Sequence, residues 1–85
     1  MYQIRLLDTA IQELEKLDKP IGRRIITRLY WLAENLDSIR TPKLKGDLSA
    51  FYKLRVGDYR IFYQVLEEEQ VIIVHKIGHR SEIYR

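Results

Sequence analysis

Positively charged side chains recur on two predicted strands in the second half of the chain, where they could act together on a phosphate. Lys53 and Arg55 are separated by one residue and therefore share a face of their strand. Arg60 follows on the next strand, and if its apolar neighbours cover the helices it projects from the uncovered face near Lys53 or Arg55. Like charges on an open sheet face are either solvated or used on an anion. The pattern thus predicts a polyanion-binding face, with an ordinary solvated face as the alternative.

One histidine near the C-terminus could transfer protons. His79 has the pKa best suited to acid–base chemistry near neutral pH, although a lone histidine is also common as a surface or structural residue.

The residue types give no sign of a metal or cofactor. The second histidine, His75, lies inside an apolar run, where we interpret it as a core or sheet residue. Two histidines without a carboxylate cluster do not form a metal site, and the absence of cysteine excludes thiolate ligands and nucleophiles. We expect neither a metal nor a cofactor.

The first half of the chain is predicted to supply the elements that cover this sheet. Residues 2–7 alternate loosely and predict a first strand, and apolar residues at helical spacing predict a helix over about residues 9–18. Pro20 suits the first turn of a second helix, whose apolar stripe continues to Leu36. Two consecutive helices of this kind predict an antiparallel helical hairpin.

The second helix also carries charged and aromatic residues outside its apolar stripe. Arg23, Arg24 and Arg28 are expected to form a solvated or partner-facing edge. Tyr30 and Trp31 are expected to pack rather than to stack on a ligand, because they lie within the helix.

The second half of the chain is predicted to be a sheet. Residues 37–50 have a loop composition, and strands are predicted at 52–55, 59–65 and 71–77, the first two joined at Val56-Gly57-Asp58. The nearly continuous β-branched run at 71–77 predicts a central strand covered on both faces. The predicted fold class is α+β, in the order β-α-α-β-β-β, with the helical hairpin packed on one face of a twisted, mostly antiparallel four-stranded sheet.

Length and composition favour one domain over residues 1–85 of a soluble, cytoplasmic protein. The chain has 46% hydrophobic residues, no apolar run long enough to cross a membrane, and no recognisable signal peptide. The net charge of +3 arises in the second half, where residues 40–85 hold nine basic and six acidic side chains. A polyanion is the partner class that this distribution favours.

Three segments, in order, resemble the RelE/ParE toxin superfamily. They are Lys43-Leu44-Lys45-Gly46, the stretch from Tyr52 to Tyr63 with the pattern K-L-R-x-G-x-Y-R, and Ile77-Gly78-His79-Arg80-Ser81-Glu82-Ile83-Tyr84. The helical hairpin before them matches the order of elements in the family, so the resemblance covers essentially the whole chain. It implies the family's fold and a toxin of a type II toxin–antitoxin pair.

For the RelE branch, the resemblance implies a toxin that enters the A site of the 70S ribosome and cuts mRNA without a metal. The 2′-OH of the message attacks the adjacent phosphate, so the protein must orient the strand, neutralise transition-state charge and manage two protons. The other implied partner is an antitoxin that wraps the toxin in a hetero-oligomeric complex, covering the basic face or displacing residues 81–85.

The resemblance also assigns roles to individual residues. Arg60 and Arg80 match the family's central and late arginines, whose guanidinium forks suit phosphate oxygens. Tyr84 matches a C-terminal tyrosine that takes part in proton transfer or stacks on a base. The family has two lysines spaced by one residue before the hairpin, and here Phe51 stands at the first position and Lys53 at the second.

This departure leaves the general base open. Either His79 or Arg55 compensates for the missing lysine, or the fold is retained with altered specificity. The predicted catalytic residues are Arg60, Arg80, Tyr84, Lys53 and His79. The predicted RNA-binding residues are Lys43, Lys45, Arg55 and Phe51, the last as a ring that stacks on a base.

Two other functions are compatible with the same fold. A ParE-like inhibitor of DNA gyrase is an interaction protein, and the resemblance implies that such toxins generally lack the arginine and tyrosine constellation. A non-catalytic module would use its cations only to attract RNA or an acidic partner segment. The presence of Arg60, Arg80 and Tyr84 favours the mRNA-cleaving toxin.

Overall fold

The computed structural model describes residues 1–39 and 51–84, and it confirms the predicted order of elements. A short 3-10 turn, Leu36–Ser38, follows the second helix. The helices and strands are β1 (Gln3–Leu6), α1 (Asp8–Glu15), α2 (Lys19–Asn35), β2 (Tyr52–Val56), β3 (Tyr59–Leu66) and β4 (Val71–His79).

The four strands form one mixed sheet in the order β1-β4-β3-β2. β4 pairs in parallel with β1 and antiparallel with β3, and β3 pairs antiparallel with β2. The sheet is therefore mostly antiparallel, as predicted, and β4 is a central strand. Its coverage is uneven, because Ile72 and Val74 are buried against the helices while Ile73 and His75 on the other face are only partly buried.

The first helix is shorter than predicted. It ends at Glu15 rather than near residue 18, and Asp18 is extended with a ψ of 144°. The reason is Pro20 in the first turn of α2, which favours the start of a new helix rather than continuation of the old one. No helix in the two described stretches is long and apolar enough to cross a membrane.

The main core lies between the helices and one face of the sheet. Ile25, Leu29 and Leu32 of α2 pack there against Ile61 and Tyr63 of β3. A second, smaller apolar cluster lies on the other face of the sheet and contains Phe62 and Ile83, with Phe51 packed against them. The sheet therefore carries a structured apolar patch on the side away from the helices.

A β-bulge in β4 decides which side chains reach that second face. Phe62 pairs with Lys76 and Tyr63 pairs with Val74, so His75 has no partner on β3. The extra residue shifts the alternation, which returns Ile77 to the core and keeps Lys76 beside Phe62. Beyond the bulge, the backbone N–H of Ile77 donates to the carboxylate of Glu13 at 2.9 Å.

β2 and β3 are joined by a two-residue turn at Gly57 and Asp58. Gly57 has a φ of 59°, as the first central residue of a type II′ hairpin turn does. Because this turn fixes the register, Val56 pairs with Tyr59 and Arg55 pairs with Arg60.

Candidate active site

The candidate site lies on the face of β2, β3 and β4 that points away from the helices, called here the open face. Cross-strand pairing defines two rows of side chains on it. One row is Lys53, Phe62 and Lys76, and the other is Arg55, Arg60 and Gly78. Lys53, Arg55 and Arg60 therefore lie on one face, as strand alternation predicts.

Arg60 differs from the prediction in its exposure. Its residue is only 8% exposed, whereas an arginine projecting freely from an open face was expected. The side chain folds back onto the hairpin turn, where Nη1 donates to the carbonyl oxygens of Gly57 and Tyr59, both at 2.9 Å. Arg60 is thus a cation whose guanidinium is held at the hairpin turn.

Arg80 contacts the same turn. Its backbone N–H donates to the carbonyl oxygen of Asp58 at 2.8 Å, and its Nε lies 3.8 Å from Oδ1 of Asp58. Both side chains of this ion pair are mostly exposed, and exposed ion pairs add little stability. Arg80 can therefore exchange Asp58 for a phosphate without disturbing the fold.

The C-terminal tail is held against the open face by Ile83, which is only 4% exposed. The N–H groups of Glu82 and Ile83 donate to the carbonyl oxygen of His79 at 2.9 and 3.0 Å. A β-carbon at Gly78 would lie 3.4 Å from Cβ of Ile83, so the absence of a side chain at Gly78 lets the tail approach the strand closely. Lys76 Nζ donates to the carbonyl oxygen of Ile83 at 3.4 Å.

This attachment places Tyr84 over the first row of the open face. Its ring packs on Phe62 at 5.5 Å between centroids, and Nζ of Lys53 lies 5.9 Å from the centre of the Tyr84 ring. Tyr84 is still 52% exposed, so the phenol remains accessible to a ligand. The structure therefore brings together Tyr84 and Lys53, two of the predicted catalytic residues.

His79 lies elsewhere. It pairs with Tyr59, whose side chain packs against the main core, so the register turns His79 toward the helices. The two rings meet edge to face at 5.5 Å. Nδ1 of His79 accepts the N–H of Ser81 at 3.1 Å and lies 2.8 Å from Oγ of Ser81. The described contacts of His79 thus shape the start of the tail.

Phe51, at the position where the family has its first lysine, extends the apolar patch of the open face. Its ring meets that of His75 edge to face at 4.7 Å. His75 is in turn 2.7 Å from Oε1 of Gln64, and burial lowers the pKa of its imidazole below the ordinary value. His75 therefore belongs to the support of this patch, in agreement with its interpretation as a sheet residue.

The other predicted RNA-binding residues are placed as follows. Arg55 is exposed on β2, which is an edge strand of the sheet. Lys43 and Lys45 lie outside the described residues.

Sequence reasoning missed the residues that hold the tail. Ile83, Gly78 and Phe62 entered the sequence analysis only as parts of the motifs that carry the family resemblance. One signal was available, since Ile83 is the only strongly apolar residue among the polar residues of the tail. An isolated apolar residue of this kind indicates an anchor.

Taken together, the open face offers a small site for a phosphodiester. Arg60 and Arg80 both have guanidinium groups that contact the hairpin turn, and Tyr84 with Lys53 offers exchangeable protons beside an apolar patch. Guanidinium groups bind phosphate oxygens in a forked geometry, and aromatic rings accept stacked bases.

Comparison with known proteins shows to which family the chain belongs. Residues 4–84 match the model of the ParE toxin of the type II toxin–antitoxin system parDE. The chain is 34% identical to a putative RelE-like toxin protein of Escherichia coli, covering 98% of this chain and 90% of that protein. It is 32% identical to the mRNA interferase toxin RelE of Escherichia coli K12, with the same coverage.

Comparison of the fold with solved structures agrees with these sequence matches. The structure superposes on a chain of the toxin–antitoxin complex RelBE2 from Mycobacterium tuberculosis with a TM-score of 0.83, at 24% identity, covering 93% of this chain and 98% of that one. The sequence matches span nearly all of this chain and of its relatives. The chain therefore belongs to the RelE/ParE superfamily of toxins from type II toxin–antitoxin systems.

Proposed function

We propose that this toxin is an endoribonuclease that cleaves mRNA on the ribosome. The observation that carries the proposal is the position of Tyr84, which the tail holds over Phe62 and beside Lys53 on the face that also bears Arg60. The relative named mRNA interferase toxin RelE supports the same reaction.

In the proposed reaction, the 2′-oxygen of the message attacks the adjacent phosphorus and the bond to the 5′-oxygen breaks. The products are a 2′,3′-cyclic phosphate and a 5′-hydroxyl. Arg60 and Arg80 stabilise the charge that develops on the phosphate oxygens, because preorganised donors are most effective where charge appears in the transition state. Arg60 is preorganised by its two bonds to the turn.

Two protons must move in this reaction. One leaves the attacking 2′-OH, and one is delivered to the departing 5′-oxygen. We assign these transfers to Tyr84 and Lys53, because they adjoin each other on the open face. His79 is given a positioning role instead, because its ring is turned toward the helices and contacts Ser81 at the start of the tail. Phe51 supplies an apolar ring for a base at the lysine position of the family.

The proposed partners follow from the reaction and from the relatives. The toxin acts in the cytoplasm on the ribosome and its message, and a cognate antitoxin neutralises it. The RelBE2 structure is that of a toxin–antitoxin complex, which supports the antitoxin as a partner.

Expression of the chain without its antitoxin tests the proposal. Growth is expected to stop within one generation, and sequencing of RNA 5′ ends is expected to show cuts at fixed positions within codons of translated messages. The cuts should disappear when translation initiation is blocked beforehand, since the ribosome presents the message. Intact messages in arrested cells would contradict the proposal.

The match to the ParE family model favours one alternative, inhibition of DNA gyrase. Purified gyrase incubated with the chain and supercoiled plasmid separates the two functions. Gyrase trapped on cleaved DNA, together with intact messages in the cell, would establish the alternative and remove the assignment of Tyr84 and Lys53.

The tail attachment makes a further prediction. Replacing Ile83 with alanine removes most of the side chain that packs against Gly78 and Phe62, so Tyr84 is expected to leave its position part of the time. We expect kcat for mRNA cleavage to fall about ten- to a hundredfold while KM changes little, because a misplaced catalytic group can cost about 10²-fold. The amide of Ile83, bonded to the carbonyl oxygen of His79, should exchange with solvent faster than in the parent.

The matched control is Ile83→Val, which keeps the branched side chain and loses one methyl group. It should cleave at nearly the parent rate. If Ile83→Ala instead raises KM at constant kcat, the tail contributes to RNA binding and does not position Tyr84.

A further inference from the structure

A second cationic surface lies at the edge of the sheet, outside the open face. It is a cavity of about 530 Å³ between α2 and the edge strand β2, called here the arginine groove. Its lining residues are Arg23, Arg24, Thr27, Arg28, Trp31, Arg55, Val56 and Gly57. Four of these are arginines, and none of the described lining residues is acidic.

The helix presents part of this surface as one stripe. Arg24, Arg28 and Trp31 follow one another at spacings of four and three residues, so they lie on the same side of α2. This observation refines the expectation from the sequence, in which the arginines formed a general helix edge and Trp31 only packed.

Two of the arginines are held in place. The guanidinium carbon of Arg28 lies 3.9 Å from the centre of the Trp31 ring, a stacked cation–π arrangement. The guanidinium of Arg24 lies against the hairpin turn, where a β-carbon at Gly57 would be 3.3 Å from Nη2 of Arg24. These contacts restrict the two side chains. A guanidinium group that is already restricted loses less conformational entropy when it binds a phosphate.

No carboxylate in the described stretches pairs with these arginines, since the ion pair found there joins Arg80 to Asp58. Uncompensated like charges around one cavity repel each other unless an anion joins them. Among the described residues, the groove therefore has the charge and the geometry of an anion site without a carboxylate partner.

The groove is continuous with the candidate active site. Gly57 lines the groove beside Arg24, and the carbonyl oxygen of the same residue accepts a hydrogen bond from Arg60. Arg55 lines the groove and is the cross-strand partner of Arg60. A polyanion that reaches Arg60 can therefore also reach the groove by passing over the edge of β2.

We propose that the arginine groove binds a backbone phosphate of RNA remote from the bond that is cleaved. This inference rests on the proposed ribonuclease function and adds an affinity site to it. The phosphate belongs either to the message or to ribosomal RNA, which share the same chemistry.

Binding measurements on two kinds of RNA test the groove. One probe is a 2′-O-methyl RNA oligonucleotide, which lacks the attacking 2′-OH and so stays intact, and the other is the purified 70S ribosome. The parent is compared with Arg24→Ala/Arg28→Ala and with a control, Arg5→Ala/Lys19→Ala, which removes the same charge from exposed positions outside the groove. Thermal unfolding of all variants is recorded as a check on folding.

We expect the Arg24→Ala/Arg28→Ala variant to bind at least about tenfold more weakly near 0.1 M salt. The slope of log affinity against log salt concentration is expected to fall by roughly one for each phosphate that the variant no longer neutralises. The control should bind less than about threefold more weakly than the parent. The variant Arg24→Lys/Arg28→Lys keeps the charges, so it should recover the salt slope but not the full affinity, because lysine lacks the guanidinium fork.

The two RNA probes identify the source of the phosphate. Weaker binding of both probes assigns the groove to the message, and weaker binding of the ribosome alone assigns it to ribosomal RNA. If the groove variant binds both probes as tightly as the control, the groove proposal is wrong while the proposed function stands. A parent that binds neither probe contradicts both. A variant with reduced affinity only for the antitoxin would show that the groove docks a protein, and would also overturn the proposal.

Discussion

Replacing Arg60 with alanine is expected to lower the rate of mRNA cleavage by about 10²- to 10³-fold, the loss typical of one preorganised donor to a developing oxyanion. The guanidinium of Arg60 is fixed by two hydrogen bonds to the hairpin turn, so it does not have to be ordered when the substrate arrives. The rate should be measured in single turnover with ribosomes that display a defined codon.

The same substitution is expected to destabilise the fold. Loss of the side chain removes the Nη1 donor from the carbonyl oxygens of Gly57 and Tyr59, and a hydrogen bond to a charged group contributes about 1.5–3 kcal/mol. The control must therefore be destabilised without touching the open face. Ile72→Val serves, because Ile72 is fully buried on the helix side and the change costs about 0.5–1.5 kcal/mol.

These two variants separate catalysis from stability. Ile72→Val is expected to cleave at the parent rate at a temperature where both variants are folded. Arg60→Lys keeps the charge, but an ammonium group lacks the forked donors that let a guanidinium bind the turn and a phosphate together. Its cleavage rate should therefore lie between those of Arg60→Ala and the parent. A cleavage rate of Arg60→Ala equal to that of Ile72→Val would show that Arg60 only stabilises the turn.

Replacing Tyr84 with phenylalanine is expected to reduce the single-turnover rate by about 10²-fold, because a positioned acid or base contributes about 10²- to 10⁴-fold. The substitution removes only the hydroxyl. The ring can still pack on Phe62 at 5.5 Å and remain beside Lys53, so binding of RNA should change little. Affinity is measured separately with the uncleavable 2′-O-methyl oligonucleotide.

Tyr84→Ala distinguishes the two roles considered for this residue. If Tyr84 transfers a proton, Tyr84→Phe and Tyr84→Ala should lower the cleavage rate to a similar extent. If Tyr84 instead stacks on a base, phenylalanine should preserve the rate and alanine alone should reduce it. Tyr30→Phe is the matched control, since Tyr30 is an exposed tyrosine on α2 outside the open face, and its rate should equal that of the parent.

These predictions converge on the hairpin turn, which organises the site. Gly57 accepts a hydrogen bond from Arg60, its peptide lies against Arg24, and the neighbouring Asp58 holds Arg80. Three arginines from different parts of the chain, Arg24, Arg60 and Arg80, therefore all contact Gly57 or Asp58. Through this turn, the proposed cleavage site and the arginine groove are parts of one surface.

The order of elements, the α+β class and the face shared by Lys53, Arg55 and Arg60 could all be predicted from the amino-acid sequence. Local rules suffice for these features, because helical spacing and strand alternation depend on near neighbours and a two-residue turn fixes the register of a hairpin. The three family motifs also led to the toxin superfamily, since their residues and order are present in the chain itself.

Other features of the site depend on contacts between segments that are distant in sequence, so they became visible only in the folded structure. The bulge at His75, which assigns Lys76 to the open face, arises from the pairing of β4 with β3. The burial of Arg60 and the turn of His79 toward the helices likewise follow from how side chains and strands pack after folding.

The tail and the arginine groove show the same distinction. No periodicity relates Ile83 to Phe62, or Arg24 on a helix to Gly57 in a turn, since each pair is joined only when the sheet and helices assemble. The sequence therefore determined which chemical groups are available on this toxin. Packing decided which of them meet, because a contact between remote residues is set by the whole fold rather than by the residues beside it.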